Sequence, residues 1–142
     1  MLVVLLAAAA LAGSPDLVVA DVEAYTARSI PPGAKLGIPA AVRNKGARRA
    51  RASRARFYLS EDRRRGDDTA LASAVRVQTL RAGRREAFRA SVRVPASTKN
   101  GSYYVLACAD SSHRVAERRE GNNCRASAGR VTIKRPIPPG PR

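Results

Sequence analysis

The two cysteines of this 142-residue chain, Cys108 and Cys124, constrain its fold more than any other feature. The residues from Tyr103 to Cys108 alternate with period 2, which is typical of a β-strand. Turn-forming residues follow this strand and also precede Cys124. We therefore expect an antiparallel hairpin with the cysteines at equivalent depths on its two arms. A disulfide closing the 15 residues between them should stabilise the fold by roughly 3 kcal/mol. The alternative is two buried free thiols.

The first 12 residues predict an export signal. Met1 is followed by eleven apolar residues, too few for a membrane span, which needs about 20. Ala10-Leu11-Ala12 fits a signal-peptide cleavage site, although no basic residue precedes the run; a buried element of the domain is the alternative. We expect residues 1–12 to be a signal peptide and the protein to be secreted or at the cell surface, without a transmembrane span. An oxidising compartment also favours the disulfide.

The chain after residue 13 shows seven short segments in which apolar and polar residues alternate, separated by turn signals. They centre on residues 18–22, 36–42, 55–59, 75–77, 88–94, 103–108 and 131–133. Their number and spacing predict an all-β fold, a seven-stranded immunoglobulin-like Greek-key sandwich with one disulfide.

Two segments complicate this interpretation. Pro39 lies inside the second predicted strand and cannot donate to a ladder, so that strand must be bulged or locally unpaired there. Residues 46–57 are rich in helix formers. They lack an apolar stripe at a spacing of 3.6 residues, so we prefer a strand at the end of that segment over a helix.

Five motifs, taken in order, resemble those of the CARDB family, the cell adhesion related domain found in bacteria. They are Pro15-Asp16-Leu17-Val18-Val19, Val42-Arg-Asn-Lys-Gly46, Arg56-Phe57-Tyr58-Leu59-Ser60-x-Asp62, Gly101-x-Tyr-Tyr-Val-Leu-Ala-Cys-Ala-Asp110 and Val115-x-Glu-x-x-Glu-x-Asn-Asn-Cys124. The resemblance implies a seven-stranded immunoglobulin-like domain over residues 15–134 of an exported or surface protein from a bacterium. It also implies a non-catalytic adhesion or spacer role. This chain departs from the family pattern in its single copy, in Pro39 and in its high arginine content. Residues 135–142 are expected to form a proline-rich flexible tail.

The sequence contains no recognisable catalytic constellation. His113 is the one histidine, and no nucleophile motif accompanies it, so we expect a solvated loop histidine and neither catalytic residues nor a cofactor. Calcium prefers oxygen ligands, and the candidates here are Asp110, Glu117, Glu120 and Asn122. Arginines lie among these carboxylates, which favours turn hydrogen bonds and ion pairs instead.

Tyr103 and Tyr104 leave one structural question open. One hydroxyl could bond back to nearby backbone in a tyrosine corner, or both rings could simply pack. The sequence does not show which ring faces the core.

A net charge of +16 makes polyanions the other class of partner to consider. The candidate contacts are Arg54, Arg56, Arg63, Arg64 and Arg65. Nucleic-acid sites usually combine such arginines with interleaved aromatics or a groove-entering helix, and the arginine runs here are scattered. We therefore expect a monomeric, non-catalytic module that binds a surface protein or glycan. The alternative is a secreted binder of acidic polysaccharide, lipopolysaccharide or nucleic acid.

Overall fold

The computed structural model describes residues 13–24, 28–66, 68–71, 74–109 and 123–137. These residues form eight β-strands and no helix. The strands are β1 (Leu17–Val22), β2 (Lys35–Asn44), β3 (Ser53–Ser60), β4 (Thr69–Ala70), β5 (Val75–Val77), β6 (Arg85–Arg93), β7 (Gly101–Cys108) and β8 (Cys124–Ile133). Within the described ranges, no helix is long and apolar enough to cross a membrane.

The strands form two antiparallel sheets that pack face to face. Sheet A has the order β1-β2-β6, and sheet B has the order β4-β3-β7-β8, with β5 paired to the other part of β3. The chain passes from sheet A to sheet B after β2 and again after β6. This arrangement confirms the predicted immunoglobulin-like sandwich.

The core lies between the sheets and is built from the apolar positions of each alternating strand. Ile38 and Val42 of β2 face Phe57 of β3 and Val105 of β7, and each is 0–1% exposed. Phe57 also packs edge to face against Phe88, with ring centroids 6.4 Å apart. Each such burial stabilises the fold by about 1.5–3 kcal/mol.

The predicted count of seven strands is wrong by one. The additional strand, β4, has two residues and pairs with Tyr58 and Leu59 of β3. Two residues are too few to show an alternating pattern, so this strand has no signal in the sequence. Leu71 fixes this segment, since its side chain is fully buried and its amide donates to the carbonyl of Phe57 at 2.9 Å. The preference for a strand over a helix is confirmed, because β3 begins at Ser53 and no helix precedes it in residues 46–52.

Pro39 is accommodated where the pairing of β1 ends. Its register with β6 is continuous, opposite Arg89. The amide of Glu23 donates to the carbonyl of Pro39 at 2.9 Å, so the proline nitrogen also faces the β1 side. The β1 ladder stops one position earlier, at Val22 and Ala40. The missing donor therefore interrupts no internal rung: β2 is not bulged at Pro39, and it lacks only the hydrogen bond that an amide there would donate toward β1.

Tyr103 forms the tyrosine corner. Its ring is 8% exposed on the core side of β7, and its hydroxyl donates to the carbonyl of Lys99 at 2.6 Å, four residues earlier. Tyr104 points to the opposite side of sheet B, as its pairing with Ser60 and Arg130 shows.

The Cys108–Cys124 disulfide closes the β7–β8 hairpin, as predicted. The two cysteines are directly opposite in the register, with a sulfur–sulfur distance of 2.02 Å and a Cα–Cα distance of 4.0 Å. The bond lies on the outer face of sheet B and joins neighbouring strands, so it does not link the two sheets.

Candidate binding surfaces

The outer face of sheet B carries a small apolar cluster of its own. Tyr58 of β3 is directly opposite Leu106 of β7, which is directly opposite half-buried Ala126 of β8. Cys108 completes the cluster, which is separate from the core between the sheets. Positions that the alternating pattern assigns to solvent therefore hold packed apolar groups.

Arginine side chains cover the two tyrosines of this face. The guanidinium carbon of Arg65 lies 3.8 Å from the ring centroid of Tyr58. Those of Arg63 and Arg130 lie 5.1 Å and 4.5 Å from the ring of Tyr104. Such cation–π contacts are worth about 0.5–1 kcal/mol at exposed sites. We call Tyr58, Tyr104, Arg63, Arg65 and Arg130 the tyrosine–arginine face.

The arginines also change the acidity of Tyr104. Nη2 of Arg130 donates to the phenol oxygen at 2.9 Å. This hydrogen bond, followed by one from Arg63, lowers the pKa of Tyr104 below its usual value, because both favour the phenolate. Arg65 in turn pairs with Asp68 at 3.0 Å.

The five candidate arginines all belong to β3 or the loop that follows it. Arg54 and Arg56 are exposed on the outer face of sheet B. Arg63 and Arg65 stack on tyrosines, and Arg64 is exposed in the same loop. Their role as polyanion contacts stays a prediction. Sequence reasoning missed the pairing of Tyr104 with Arg130, which lie 26 residues apart and meet only through the β7–β8 register.

A second basic surface lies at one end of sheet A. It is a shallow depression of about 650 Å³ whose walls include four cationic residues and no carboxylate. The lining residues are Val18, Val19, Ala20, Arg43, Lys45, Gly83, Arg85 and Arg125. Nη1 of Arg125 donates to the carbonyl of Ala20 at 2.8 Å, which fixes one guanidinium at the rim. We call this the basic depression.

The walls of the basic depression are held by the buried side chain of Asn44. Its Oδ1 accepts hydrogen bonds from the amides of Asp16 at 3.1 Å and Gly46 at 3.0 Å. Its Nδ2 donates to the carbonyls of Arg48 at 2.6 Å and Leu80 at 3.1 Å. One side chain thus joins the segment before β1, the loop after β2 and the loop before β6.

Gly46 allows the segment before β1 to approach this loop. A Cβ atom at Gly46 would come within 2.6 Å of the amide nitrogen of Asp16 and would also collide with the neighbouring backbone. Asn44 and Gly46 belong to the motif Val42-Arg-Asn-Lys-Gly46 noted in the sequence. This motif therefore holds three chain segments together next to the basic depression.

The calcium candidates Asp110, Glu117, Glu120 and Asn122 lie outside the described residues, as does His113. The calcium hypothesis therefore stays a prediction.

The loop after β3 contains other carboxylates, and these have structural roles. The hydroxyl of Ser60 donates to Asp62 at 3.1 Å, and the amide of Arg64 donates to the same carboxylate at 2.8 Å. Where the chain is described, no three His, Cys, Asp or Glu side chains come together as metal ligands would.

Two antiparallel sheets packed face to face and a tyrosine corner define an immunoglobulin-like sandwich domain. The family model of CARDB matches residues 14–127, so the chain belongs to the CARDB family. A search among curated proteins finds no match.

Solved structures of domains from other organisms share this fold. The CARDB domain of a Pyrococcus furiosus protein, crystallised with two metal ions, is similar to this chain with a TM-score of 0.56 and 21% identity, covering 85% of this chain and 90% of that one. A domain of a protein described as a cell-surface protein, from Methanosarcina acetivorans, has a TM-score of 0.56 and 17% identity, covering 85% of this chain and 93% of that one.

A β-glucosidase from Erythrobacter marinus also contains a similar fold. The TM-score is 0.54 with 16% identity, and the similarity covers 84% of this chain but 16% of the enzyme. It therefore concerns a small part of that protein and shows the fold alone.

Proposed function

We propose that this chain is an exported, non-catalytic binding module of the cell surface that acts as a monomer. The tyrosine–arginine face is the surface that we assign to a protein or glycan partner. Membership of the CARDB family, an adhesion-related domain, supports the proposal. The description of the Methanosarcina relative as a cell-surface protein also agrees with it.

The observation that carries the proposal is the arrangement of Tyr58, Tyr104 and their arginines on an outward sheet surface. Tyrosine and arginine are enriched among the residues that dominate binding energy in protein interfaces. Their side chains are already ordered against one another here, so little rotamer entropy is lost when a partner docks.

The test compares two variants that each remove one positive charge. Arg130→Gln removes the hydrogen bond to Tyr104 and the nearer of the two guanidinium groups over its ring, whereas Arg51→Gln changes an exposed arginine before β3. Labelled protein is mixed with intact cells of the source organism, and retention is measured by sedimentation over a concentration series. We expect saturable retention, weakened at least about fivefold by Arg130→Gln and unchanged by Arg51→Gln. Retention that does not saturate, or equal effects of both variants, would contradict the proposal.

A second candidate function is polyanion binding, which the basic depression specifically favours. Four cationic residues line it and no carboxylate does. Anionic groups recognised by several arginines gain charge-assisted hydrogen bonds that a single surface charge cannot supply.

A further inference from the structure

The outer face of sheet A carries a row of cations along its edge strand. Arg85, Arg89 and Arg93 of β6 point outward at every fourth position. The register places Arg43 opposite Arg85 and Lys35 opposite Arg93. All five side chains are exposed, and at about 3.3 Å per residue they span roughly 26 Å. We call these five residues the basic strip. Two of them, Arg43 and Arg85, also line the basic depression.

The basic strip places like charges side by side without local compensation. Like charges directly opposite one another destabilise a sheet, and the strip contains two such pairs. Asp21 of β1, opposite Ala41, and exposed Glu23, opposite Pro39, share this outer face, but neither forms an ion pair with the strip in the described structure. Glu86 belongs to the other side of β6 and accepts a hydrogen bond from the amide of Gln78 at 3.1 Å. The repulsion in the strip is therefore left for an external anion to relieve.

Two of the cations are positioned before any ligand binds. Nη1 of Arg93 donates to the carbonyl of Gly33 at 2.6 Å. The guanidinium of Arg89 lies over Gly37, where an added Cβ atom would come within 2.8 Å of Nη2. At the far end, Arg125 is fixed at the rim of the basic depression. Ordered cations lose less entropy when they bind an anion than mobile ones do.

The surroundings of the strip favour a linear polymer without bases. No aromatic side chain faces outward from sheet A in the described residues, since Phe88 turns inward against Phe57. A stacking platform for nucleic-acid bases is therefore missing. Ala87 and Ser91 separate the arginines of β6, and their small side chains let an extended chain lie close to the sheet.

We propose that the basic depression and the basic strip form one site for a linear acidic polysaccharide, carboxylated or sulfated. The depression holds one anionic group, and Arg89 and Arg93 bind later groups along the same chain. This inference rests on the polyanion-binding candidate function. It assigns that function to sheet A, whereas the sequence pointed to the arginines around β3.

Binding is measured by isothermal titration with the full 142-residue chain at about 0.15 M salt. The probes are heparin, polygalacturonate and a 20-base-pair duplex DNA. Arg43→Gln/Arg85→Gln removes two charges from the proposed site, and Arg54→Gln/Arg56→Gln removes two from exposed positions on sheet B. An exposed ionic contact is worth about 1.4- to 5-fold in affinity. We expect the first variant to bind one of the two polysaccharides about 2- to 25-fold more weakly, and the second to bind it like the unmodified chain.

Each other outcome overturns a distinct part of the account. If the unmodified chain binds none of the probes at this salt concentration, the candidate function itself is wrong. Equal weakening by both double variants would show general charge attraction and would overturn the assignment of the site to sheet A. Tighter binding to the duplex than to either polysaccharide would overturn the class of partner.

Misfolding is distinguished from loss of the site by measuring the thermal stability of each variant separately. Arg43 and Arg85 are opposite one another, so replacing both relieves the repulsion of that pair, and the thermal midpoint of Arg43→Gln/Arg85→Gln should equal or exceed that of the unmodified chain. Arg89→Gln, at the centre of the strip, provides a second variant and should also weaken binding. Full affinity in Arg89→Gln would overturn the path proposed for the polymer.

Discussion

Replacing Asn44 with alanine should destabilise the domain more than any change on its surface. Asn44 is fully buried, and its side chain makes four hydrogen bonds to backbone groups of three different segments. Each such bond contributes about 1 kcal/mol net, and a buried group left without a partner costs about 1–3 kcal/mol. We therefore expect Asn44→Ala to lower the free energy of unfolding by about 3–5 kcal/mol. The total free energy of unfolding of such a domain is about 5–15 kcal/mol.

Urea unfolding followed by circular dichroism measures this loss. With a slope of about 1–3 kcal/mol per molar urea, the midpoint should fall by at least about 1 M. Asn100→Ala is the matched control, because Asn100 is exposed and its Oδ1 accepts one hydrogen bond, from the amide of Arg135 at 2.9 Å. Its cost should stay below about 1 kcal/mol.

An aspartate at the same position separates hydrogen bonding from packing. Asn44→Asp keeps the size of the side chain but turns an oxygen toward the carbonyls of Arg48 and Leu80. It should cost at least as much as alanine. If the free energies of unfolding of both Asn44 variants lie within about 1 kcal/mol of that of the unmodified chain, the structural role assigned to the Asn44 side chain is refuted.

Three further changes test other parts of the structure. Gly83 has a φ of +76° with open space around its Cβ position, so Gly83→Ala should lower the free energy of unfolding in urea by about 1 kcal/mol. Gly66 is equally open but has no positive φ, so Gly66→Ala should change it very little, and equal effects would contradict the backbone argument. The lowered pKa of Tyr104 means that the fold favours its phenolate. The stabilisation by this phenolate is fully present above the unfolded pKa of about 10 and is lost as the pH falls through the folded pKa. Ultraviolet titration should therefore show one phenol ionising below pH 10, and Arg130→Gln should raise that pKa; no change would refute the assigned hydrogen bond. Reducing the Cys108–Cys124 disulfide should lower the free energy of unfolding by roughly 3 kcal/mol, and an unchanged urea midpoint in reductant would contradict this.

The strands and the disulfide could be predicted because their signals are local. Period-2 alternation marks each long strand, and turn residues on both sides of the hairpin loop set Cys108 opposite Cys124. The tyrosine corner needed one further fact, namely which side of β7 faces the core, and the pairing of Tyr103 with buried Val131 supplies it. The two-residue β4 had no local signal.

The candidate surfaces could not be predicted in the same way, because they depend on registers between distant strands. Arg43 and Arg85 become neighbours only when β2 pairs with β6. Contiguous arginine runs drew attention to Arg63, Arg64 and Arg65, yet two of these three stack on tyrosines. The arginines of the basic strip are instead spaced by small or apolar residues, as an alternating strand requires.

Amide chemical-shift mapping tests most directly whether this chain binds its partners through the outer faces of its sheets. The ¹⁵N-labelled chain is titrated with solubilised cell-envelope material from the source organism and, separately, with polygalacturonate. We expect envelope proteins or glycans to shift amides of β3, β7 and β8 around Tyr58 and Tyr104, and the acidic polymer to shift those of β2 and β6 around Arg89. Shifts confined to the loops at the ends of the sandwich, with both sheet faces unchanged, would contradict the account.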